Sequence, residues 1–412
     1  MTTNHMTSRQ RIDAALNHEP TDRVPIDVGG TRVTGIASLA YHRLLKHLGL
    51  EDPIHLYDIK QQLALPSLDV MNRLGGDVVL VNRLAPTTGM PFLCVDQWKD
   101  SQLTDGSPCL APEAYEARFK EDGTVEVLHE GEVKAYRTPG SLYFDICTTP
   151  LKHAQSKADI DAFVFPDPWS EREATFLRDQ VQQLYYGTDK ALFGGLTLLN
   201  QSFFEIGATL FGYEAFMMNL ALKRDLMEYW LDRLLAHDLE ILDTYLAITG
   251  PYLSVIHLND DYGAQDALQI SPTMYREMFK PRQRKWIEFV KARTHAKVFL
   301  HCDGAVEELL PDFIDIGIDI LNPLQTNARG MDPEKIKRKY GKNLCFWGGG
   351  VETQTTLPFG TVEQITQEVR ERIELLSQDS GYVFGTIHNI QADIPPEKIL
   401  AVFETAMKTR VG

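Results

Sequence analysis

Residues 298–304, Val-Phe-Leu-His-Cys-Asp-Gly, bring three side chains that bind metals or titrate to the end of an apolar run. The run predicts a strand, and His301 and Asp303 stand two residues apart, so both point to one face of an extended segment. A histidine and a carboxylate on one face suit a divalent metal ion, with zinc as the candidate. Cys302 would point to the other face and is the rival ligand, because zinc also binds thiolate. The alternative is a buried histidine followed by an aspartate that caps the next helix.

His388 lies in the segment 385–391, Gly-Thr-Ile-His-Asn-Ile-Gln, directly after the apolar run 382–384. A third ligand from a distant strand would complete a three-ligand site that keeps one coordination position open. A structural histidine at a strand end is the alternative. We predict that His301, Asp303 and His388 bind one zinc ion.

Asp260 and Asp261 are adjacent and follow the apolar run 253–258. Carboxylates at the end of a strand can supply a general base, a hydrogen bond to substrate or a partner that orients a histidine ligand. The alternative is the capping of a helix before a turn. We predict that both aspartates are catalytic, because they come directly after an apolar strand.

Three glycines, residues 348–350, follow another predicted strand and separate Trp347 from Glu352. Glycines let a backbone turn tightly or approach a ligand, and no Lys-Ser or Lys-Thr pair follows them, so this is not a phosphate-binding P-loop. We predict that Trp347, Glu352 and Gln391 contact the substrate. The sequence has no Ser-x-x-Lys, Gly-x-Ser-x-Gly or His-Glu-x-x-His motif, which excludes several nucleophilic and protease mechanisms.

The chain alternates short β-rich runs with longer amphipathic stretches. Helical spacing of apolar residues predicts helices between most of the runs, including 204–247 and 361–376. Eight strands separated by helices predict an α/β fold, a single (β/α)8 TIM barrel over residues 1–412, with its active site at the C-terminal ends of the strands. An open doubly wound sheet is the alternative, but no Gly-x-Gly-x-x-Gly follows an early strand. The predicted strands are residues 24–28, 77–81, 192–196, 253–258, 297–301, 318–321, 343–347 and 382–385.

Residues 93–147 interrupt this alternation. Asp122-Gly123 separates the runs 115–119 and 125–128, and Glu130-Gly131 precedes the run 133–136. Asp-Gly between alternating apolar runs predicts a β-hairpin. We therefore predict a small antiparallel β insertion over one mouth of the barrel, where insertions often form lids or substrate walls.

The composition predicts a reduced cytoplasmic protein without a membrane or nucleic-acid partner. Of 412 residues, 43% are hydrophobic, enough for a large core. No window approaches the roughly 18 apolar residues of a membrane span, and residues 1–11 contain no secretory signal. The five cysteines form no Cys-x-x-Cys pair, and the net charge of −16 comes without a basic block that would bind a duplex. The oligomeric state stays open, a homodimer being one alternative.

Across nearly its whole length the chain resembles the uroporphyrinogen decarboxylase-like superfamily. Each motif alone is weak, but together they are specific to it. The segments that carry the resemblance are Arg9-Gln10-Arg11 through Arg23-Val24-Pro25, Thr149-Pro150-Leu151, Phe165-Pro166-Asp167-Pro168, Asp260-Asp261-Tyr262-Gly263 through Ser271-Pro272 and Lys280-Pro281, His301 to Gly304, Gly317 to Pro323, Gly349 to Gln354 and His388 to Gln391.

The superfamily contains two chemistries. Uroporphyrinogen decarboxylases carry an arginine-rich segment of the type Met-Arg-Gln-Ala-Gly-Arg that binds the carboxylates of the tetrapyrrole. The corresponding segment here, residues 23–32, lacks that signature. Because several arginines are needed to bind so many carboxylates, the resemblance favours the other branch, the zinc-dependent methyltransferases linked to corrinoids.

In that branch a His-x-Cys pair on one strand and a later cysteine hold the metal. Aligned on Gly304, this chain has Asp303 at the position of the first cysteine, and the later ligand falls near His388. Carboxylate and imidazole in place of thiolates make the site harder and favour an ether or hydroxyl oxygen. The resemblance therefore implies an O-demethylase-type methyltransferase with zinc as Lewis acid. It would move a methyl group from a small methoxylated substrate to a corrinoid (cobalamin) on a partner protein.

Two alternatives from other classes stay open. One is a metal-free decarboxylase of a tetrapyrrole or a smaller carboxylic acid, in which Asp260 or His388 donates a proton. The other is a non-enzymatic barrel that binds a corrinoid or tetrapyrrole, with structural polar residues at its strand ends. Tightly bound zinc would favour the methyltransferase over both.

Overall fold

The structure is a computed structural model that describes residues 5–166, 169–195 and 202–410. The last residue of the predicted strand 192–196 and the pair Asp167-Pro168 lie outside the described residues. The strands are β1 (Ile36–Ala37), β2 (His55–Asp58), β3 (Leu63–Leu65), β4 (Val78–Val81), β5 (Trp98–Gln102), β6 (Pro108–Pro112), β7 (Glu116–Phe119), β8 (Val125–His129), β9 (Glu132–Arg137), β10 (Asp145–Ile146), β11 (Ala191–Gly194), β12 (Val255–Asn259), β13 (Lys297–His301), β14 (Ile320–Asn322), β15 (Cys345–Trp347) and β16 (Tyr382–Val383).

Helices separate most strands of the central sheet. They are α1 (Ser8–Leu16), α2 (Ser38–Leu48), α3 (Leu68–Arg73), α4 (Lys157–Asp161), α5 (Glu171–Gly187), α6 (Phe204–Phe211), α7 (Tyr213–Leu222), α8 (Arg224–Thr249), α9 (Pro272–Met274), α10 (Lys280–Lys291), α11 (Leu310–Ile316), α12 (Pro333–Tyr340), α13 (Thr356–Phe359), α14 (Val362–Leu376) and α15 (Pro396–Lys408).

The centre of the fold is a parallel sheet with the strand order β16-β15-β14-β13-β12-β11-β4. Each of these seven strands overlaps a predicted one. Parallel neighbours need a crossover connection, and helices supply it, so the alternation in the sequence is reproduced in the fold. The predicted α/β architecture is confirmed.

The predicted first strand, residues 24–28, is present as a single parallel bridge between Ile26 and Phe384. The N–H of Phe384 donates to Pro25 O at 2.8 Å, and the N–H of Asp77 donates to Ile26 O at 2.7 Å. Pro25 has no N–H of its own, which limits the ladder that this segment can form. The segment still links both edges of the sheet, so the sheet curls as in a TIM-like barrel; a complete eight-stranded barrel stays a prediction.

Asp77 holds this segment against the start of β4. Its fully buried carboxylate accepts hydrogen bonds from Arg11 Nη1 at 2.6 Å and from Arg23 Nη1 and Nη2 at 2.7 and 2.8 Å. A fourth bond comes from Ile26 N at 2.8 Å. One carboxylate therefore joins α1, the segment 24–28 and β4, with charge-assisted hydrogen bonds that compensate for its burial.

Alternate side chains of the parallel strands fill the interior. Phe193, Phe299 and Trp347 meet edge to face, with ring centroids 4.9–5.8 Å apart. Because side chains alternate with a period of two, the next inward position after Phe299 is His301. The polar residues at the ends of the strands thus lie directly above these three rings, which we call the aromatic floor.

The predicted insertion 93–147 contributes to two sheets, one fully antiparallel and one mixed, in which its own strands β5 and β6 are antiparallel and β6 pairs with β2 in parallel. Both predicted turns are present, because β7 pairs with β8 across Asp122-Gly123 and β8 pairs with β9 across Glu130-Gly131. These strands form a sheet with the order β10-β9-β8-β7, whereas β5 and β6 join the sheet β1-β3-β2-β6-β5. The insertion is therefore tied to the N-terminal part of the chain through β6 and β2.

The predicted helix 204–247 is divided into α6, α7 and α8. Gly212, with φ +79°, separates α6 from α7, and Lys223 separates α7 from α8. Glycine adopts a positive φ at little cost, and that conformation ends an α-helix. In the part of the chain that is described, no helix has the length and apolarity needed to cross a membrane.

We predict that Asp77→Ala lowers the free energy of unfolding by about 3–5 kcal/mol, because it leaves Arg11 and Arg23 without their shared carboxylate. Glu374→Ala, at an exposed position of α14, serves as the control and should change stability by less than about 0.5 kcal/mol. Urea denaturation followed by tryptophan fluorescence measures both. Equal stability of the two variants would contradict the role given to Asp77.

Candidate active site

Three polar side chains stand side by side where neighbouring strands end. Asn259 in β12 pairs with His301 in β13, and His301 pairs with Asn322 in β14. Residues in register on parallel strands point to the same face, which here is the interior above the aromatic floor. This is the C-terminal edge of the sheet, where barrel enzymes carry their catalytic groups.

His301 is held in one orientation by Asn322. Its Nδ1 lies 2.6 Å from Asn322 Oδ1, and Asn322 Nδ2 donates to Trp347 O at 2.8 Å. The second bond directs the amide oxygen toward the histidine, so Nδ1 carries the proton. Nε2 takes no part in that bond and lies 3.7 Å from Asp303 Oδ2. Metal-binding histidines typically have this arrangement, with the second nitrogen donating to a fixed oxygen.

His301, Asp303 and His388 each bring one ligand atom to within 4.8 Å of the others. A tetrahedral zinc ion with bonds of about 2.0–2.1 Å needs its ligand atoms to lie about 3.4 Å from one another. Side-chain movements of about 1 Å would bring the three ligand atoms to that distance. Burial lowers the pKa of His388, which favours the neutral imidazole that binds metals. The three residues therefore fit a divalent ion, and zinc stays a prediction.

Cys302 lies on the opposite face of the strand. It is buried, and its Sγ accepts a hydrogen bond from Tyr262 N at 3.3 Å. Burial raises its pKa well above the usual value, with a further contribution from the charge of Asp261, so the thiolate that zinc binds is disfavoured. The geometry therefore supports Asp303 over Cys302 as a ligand.

Asp261 lies beside the ligand cluster and forms a carboxyl pair with Glu205. Its Oδ1 accepts the N–H of Asp303 at 2.7 Å, and its carboxyl group hydrogen-bonds to Glu205. Glu205 in turn accepts a hydrogen bond from Asn259 Nδ2. Burial and the charge of Asp303 raise the pKa of Asp261 to about 8, and burial and Asp261 raise that of Glu205. The pair therefore holds a proton at neutral pH.

Asp260 faces the start of α6. Its fully buried carboxylate accepts hydrogen bonds from Ser202 Oγ, Tyr262 OH and the N–H groups of Phe203, Phe204 and Glu205, at 2.6–3.1 Å. This is the capping role that the sequence left open, in a favourable position at a helix N-terminus. Asp260 positions Glu205, while Asp261 is the aspartate that adjoins the ligand cluster.

Two glycines bring the loops after β12 and β13 into contact. A Cβ at Gly263 would lie 2.4 Å from Asp303 O, and one at Gly304, with φ +90°, would lie 2.5 Å from the carbonyl carbon of Gly263. No larger residue fits at either position. This close approach holds Asp261 against Asp303.

The three residues predicted to contact substrate lie in different surroundings. Trp347 is fully buried in the floor, and its Nε1 donates to Asp27 Oδ2 at 2.8 Å. Glu352 is surrounded by Glu368 and Arg372 of α14. The side chain of Gln391 is linked to the ligand cluster by hydrogen bonds, through a residue described next, whereas Trp347 is linked to it through its backbone carbonyl and Asn322. Contact of any of the three with substrate stays a prediction.

Tyr143, which the sequence did not single out, comes from the predicted insertion. Its hydroxyl lies 3.4 Å from His388 Nδ1 and accepts a hydrogen bond from Gln391 Nε2 at 3.2 Å. The insertion therefore reaches the same mouth as the ligand cluster. No local signal identifies Tyr143, because its role depends on where the β10 end of the insertion folds back.

The glycine run 348–350 packs against neighbouring loops. A Cβ at Gly348 would lie 2.9 Å from Thr386 O, and one at Gly350 would lie 2.3 Å from the ring of Phe384. The glycines therefore allow the close backbone approach predicted from the sequence. This approach brings the glycine run against the end of the last strand and the loop that follows it.

Comparisons with known proteins agree with this fold. The profile of the uroporphyrinogen decarboxylase (URO-D) family matches residues 149–409. A methyltransferase from Methanosarcina mazei has the same fold, with a TM-score of 0.55 and 19% identity over 98% of this chain and 99% of that chain. A GH113 beta-mannanase from Alicyclobacillus acidocaldarius reaches a TM-score of 0.30 and 11% identity over 58% of this chain and 82% of that chain, too low to support an inference. No curated protein sequence matches the chain.

We predict that His301→Ala, Asp303→Ala and His388→Ala each abolish tight zinc binding, because each removes one of three ligands. Cys302→Ser is the matched control and should bind zinc like the wild type. Competition titration against a chromophoric chelator measures the affinity. A Cys302→Ser protein that no longer binds zinc would make the ligand assignment wrong.

We predict that Asn322→Leu weakens zinc binding by about 10–100-fold, because it removes the acceptor that fixes the His301 tautomer. Asn343→Leu, at an exposed position before β15, should leave the affinity unchanged. The same titration compares them, and unchanged affinity in Asn322→Leu would argue against the orienting role.

Proposed function

The chain belongs to the uroporphyrinogen decarboxylase (URO-D) family, and from this premise we propose that it is a methyltransferase. It takes a methyl group from a small methoxylated compound and gives it to a corrinoid carried by a partner protein. The observation that carries the proposal is the convergence of His301, Asp303 and His388 at the C-terminal edge of the sheet. A divalent ion bound there would act as a Lewis acid toward the ether oxygen.

The donor set supports an oxygen substrate. Two imidazoles and a carboxylate are harder ligands than thiolates, and Cys302 Sγ is turned toward Tyr262 instead. Harder ligands leave a metal with a stronger preference for oxygen. A methoxy group, whose oxygen is a poor leaving group, gains most from such a site.

The carboxyl pair supports the proton transfer that this reaction requires. As the methyl carbon is transferred, the electron pair of the broken C–O bond stays on oxygen, which then takes up a proton. Asp261 adjoins Asp303 and shares a hydrogen bond with Glu205, so a carboxylic acid is available beside the ligand cluster. We assign Asp261 as the general acid and Asp260 as the residue that positions Glu205.

The arginines argue against a tetrapyrrole substrate. Arg11 and Arg23 both bind Asp77 at the start of β4, the opposite end of that strand from the ligand cluster. Arg32 forms an ion pair with Asp58. An octa-anionic substrate needs several bidentate donors at the mouth, and these arginines are engaged in internal ion pairs.

We predict that the purified protein, loaded with zinc, forms methylcobalamin from reduced cob(I)alamin and members of a panel of methoxylated aromatic and aliphatic compounds. Absorbance spectroscopy follows the product. His301→Ala should lower the rate about a hundredfold or more, because the Lewis acid is lost, and Cys302→Ser should retain most of it. Conversion of uroporphyrinogen III to coproporphyrinogen, in place of methyl transfer, would refute the proposal.

A further inference from the structure

Lys60 is a cationic residue at the mouth that the proposed reaction does not use. It lies in the turn between β2 and β3, and its carbonyl accepts the N–H of Phe144 at 2.9 Å. The next residue, Gln61, accepts a hydrogen bond from Asn389 Nδ2 at 2.8 Å. Because Asn389 follows His388 in the chain, these bonds hold the turn beside the ligand cluster.

The ammonium group of Lys60 has no ion-pair partner in the described part of the chain. Within residues 5–166, 169–195 and 202–410, no carboxylate oxygen lies within 4.0 Å of its Nζ, and Nζ makes no hydrogen bond. Its acidic neighbours are Asp58, Asp145 and Glu205. Asp58 already binds Arg32 and the N–H of Gln61.

The remaining neighbours do not neutralise Lys60 either. Glu205 is engaged by Asn259 and by the carboxyl group of Asp261, and Asp145 is exposed on the insertion. Burial and the positive charge of Arg32 lower the pKa of Lys60. A half-buried ammonium beside a second cation is costly unless an anion binds to it.

We propose that Lys60 binds an anionic group of the substrate, a carboxylate, so that the protein selects methoxylated carboxylic acids over neutral methoxylated compounds. This inference rests on the proposed methyltransferase function and adds the substrate class to it. A group with a single negative charge matches one ammonium, whereas a doubly charged phosphate would be repelled by the surrounding carboxylates.

The test is equilibrium binding by isothermal titration calorimetry with two matched pairs. The pairs are 4-methoxybenzoate with 4-methoxybenzyl alcohol, and methoxyacetate with 2-methoxyethanol. The zinc-loaded wild type should bind at least one acid more tightly than its alcohol. Lys60→Met keeps the apolar stem and removes the charge. This variant should weaken binding of that acid about 10–100-fold, because a charge-assisted hydrogen bond is lost. Its affinity for the alcohol should stay unchanged.

Lys285→Met, at an exposed position of α10, is the control and should keep the wild-type preference. A wild type that shows no preference for either acid, or a Lys60→Met protein that keeps the preference, would overturn the inference. Because binding is measured without turnover, its outcome is separate from that of the methyl-transfer assay. Methyl transfer by a protein whose acid binding Lys60→Met does not weaken would remove the inference and keep the function. Lys60-dependent acid binding without methyl transfer would do the reverse.

Discussion

The hydrogen bond between His301 and Asn322 joins the ends of β13 and β14, and the candidate site depends on it. It exists because the two residues are paired in parallel register, so a shift by one residue would turn His301 away from the interior. The same bond selects the tautomer that leaves Nε2 available for a ligand. The register of β13 and β14 thus determines both the direction of the His301 side chain and the nitrogen atom that it offers to a ligand.

Around this pair, the structure concentrates charge in a small volume and compensates it in different ways. Asp260 is stabilised by donors at a helix terminus, Asp261 hydrogen-bonds to Glu205, and Asp58 is neutralised by Arg32. Lys60 stands apart from these arrangements, because its neighbours are already engaged. Because nearly every carboxylate of the site has a partner, the unpaired ammonium of Lys60 indicates that the ligand carries a negative charge.

The sequence predicted the parts of the site that follow strands. His301 and Asp303 share a strand end and His388 follows another, so alternation and barrel topology were enough to bring them together. The roles of Asp260 and Asp261 could not be separated from the sequence, because a residue that caps a helix and one that faces a ligand differ only in the direction of the side chain. Tyr143, Glu205 and Lys60 were missed, because each reaches the site from an irregular segment or from the first turn of a helix. Trp347 was recognised as a residue at a strand end, but its inward position belongs to the floor.

The bridge between Ile26 and Phe384 has a consequence for how the protein is made. The two residues lie far apart in the sequence, and loop closure over such a separation is slow. On the ribosome, residues around Ile26 emerge before Phe384 and cannot complete their pairing until Phe384 is available. Until then the nascent sheet keeps an open edge, which is the kind of surface that chaperones bind and that aggregates form from. Pairing at the end of β16 therefore completes the sheet and removes this hazard in a single step.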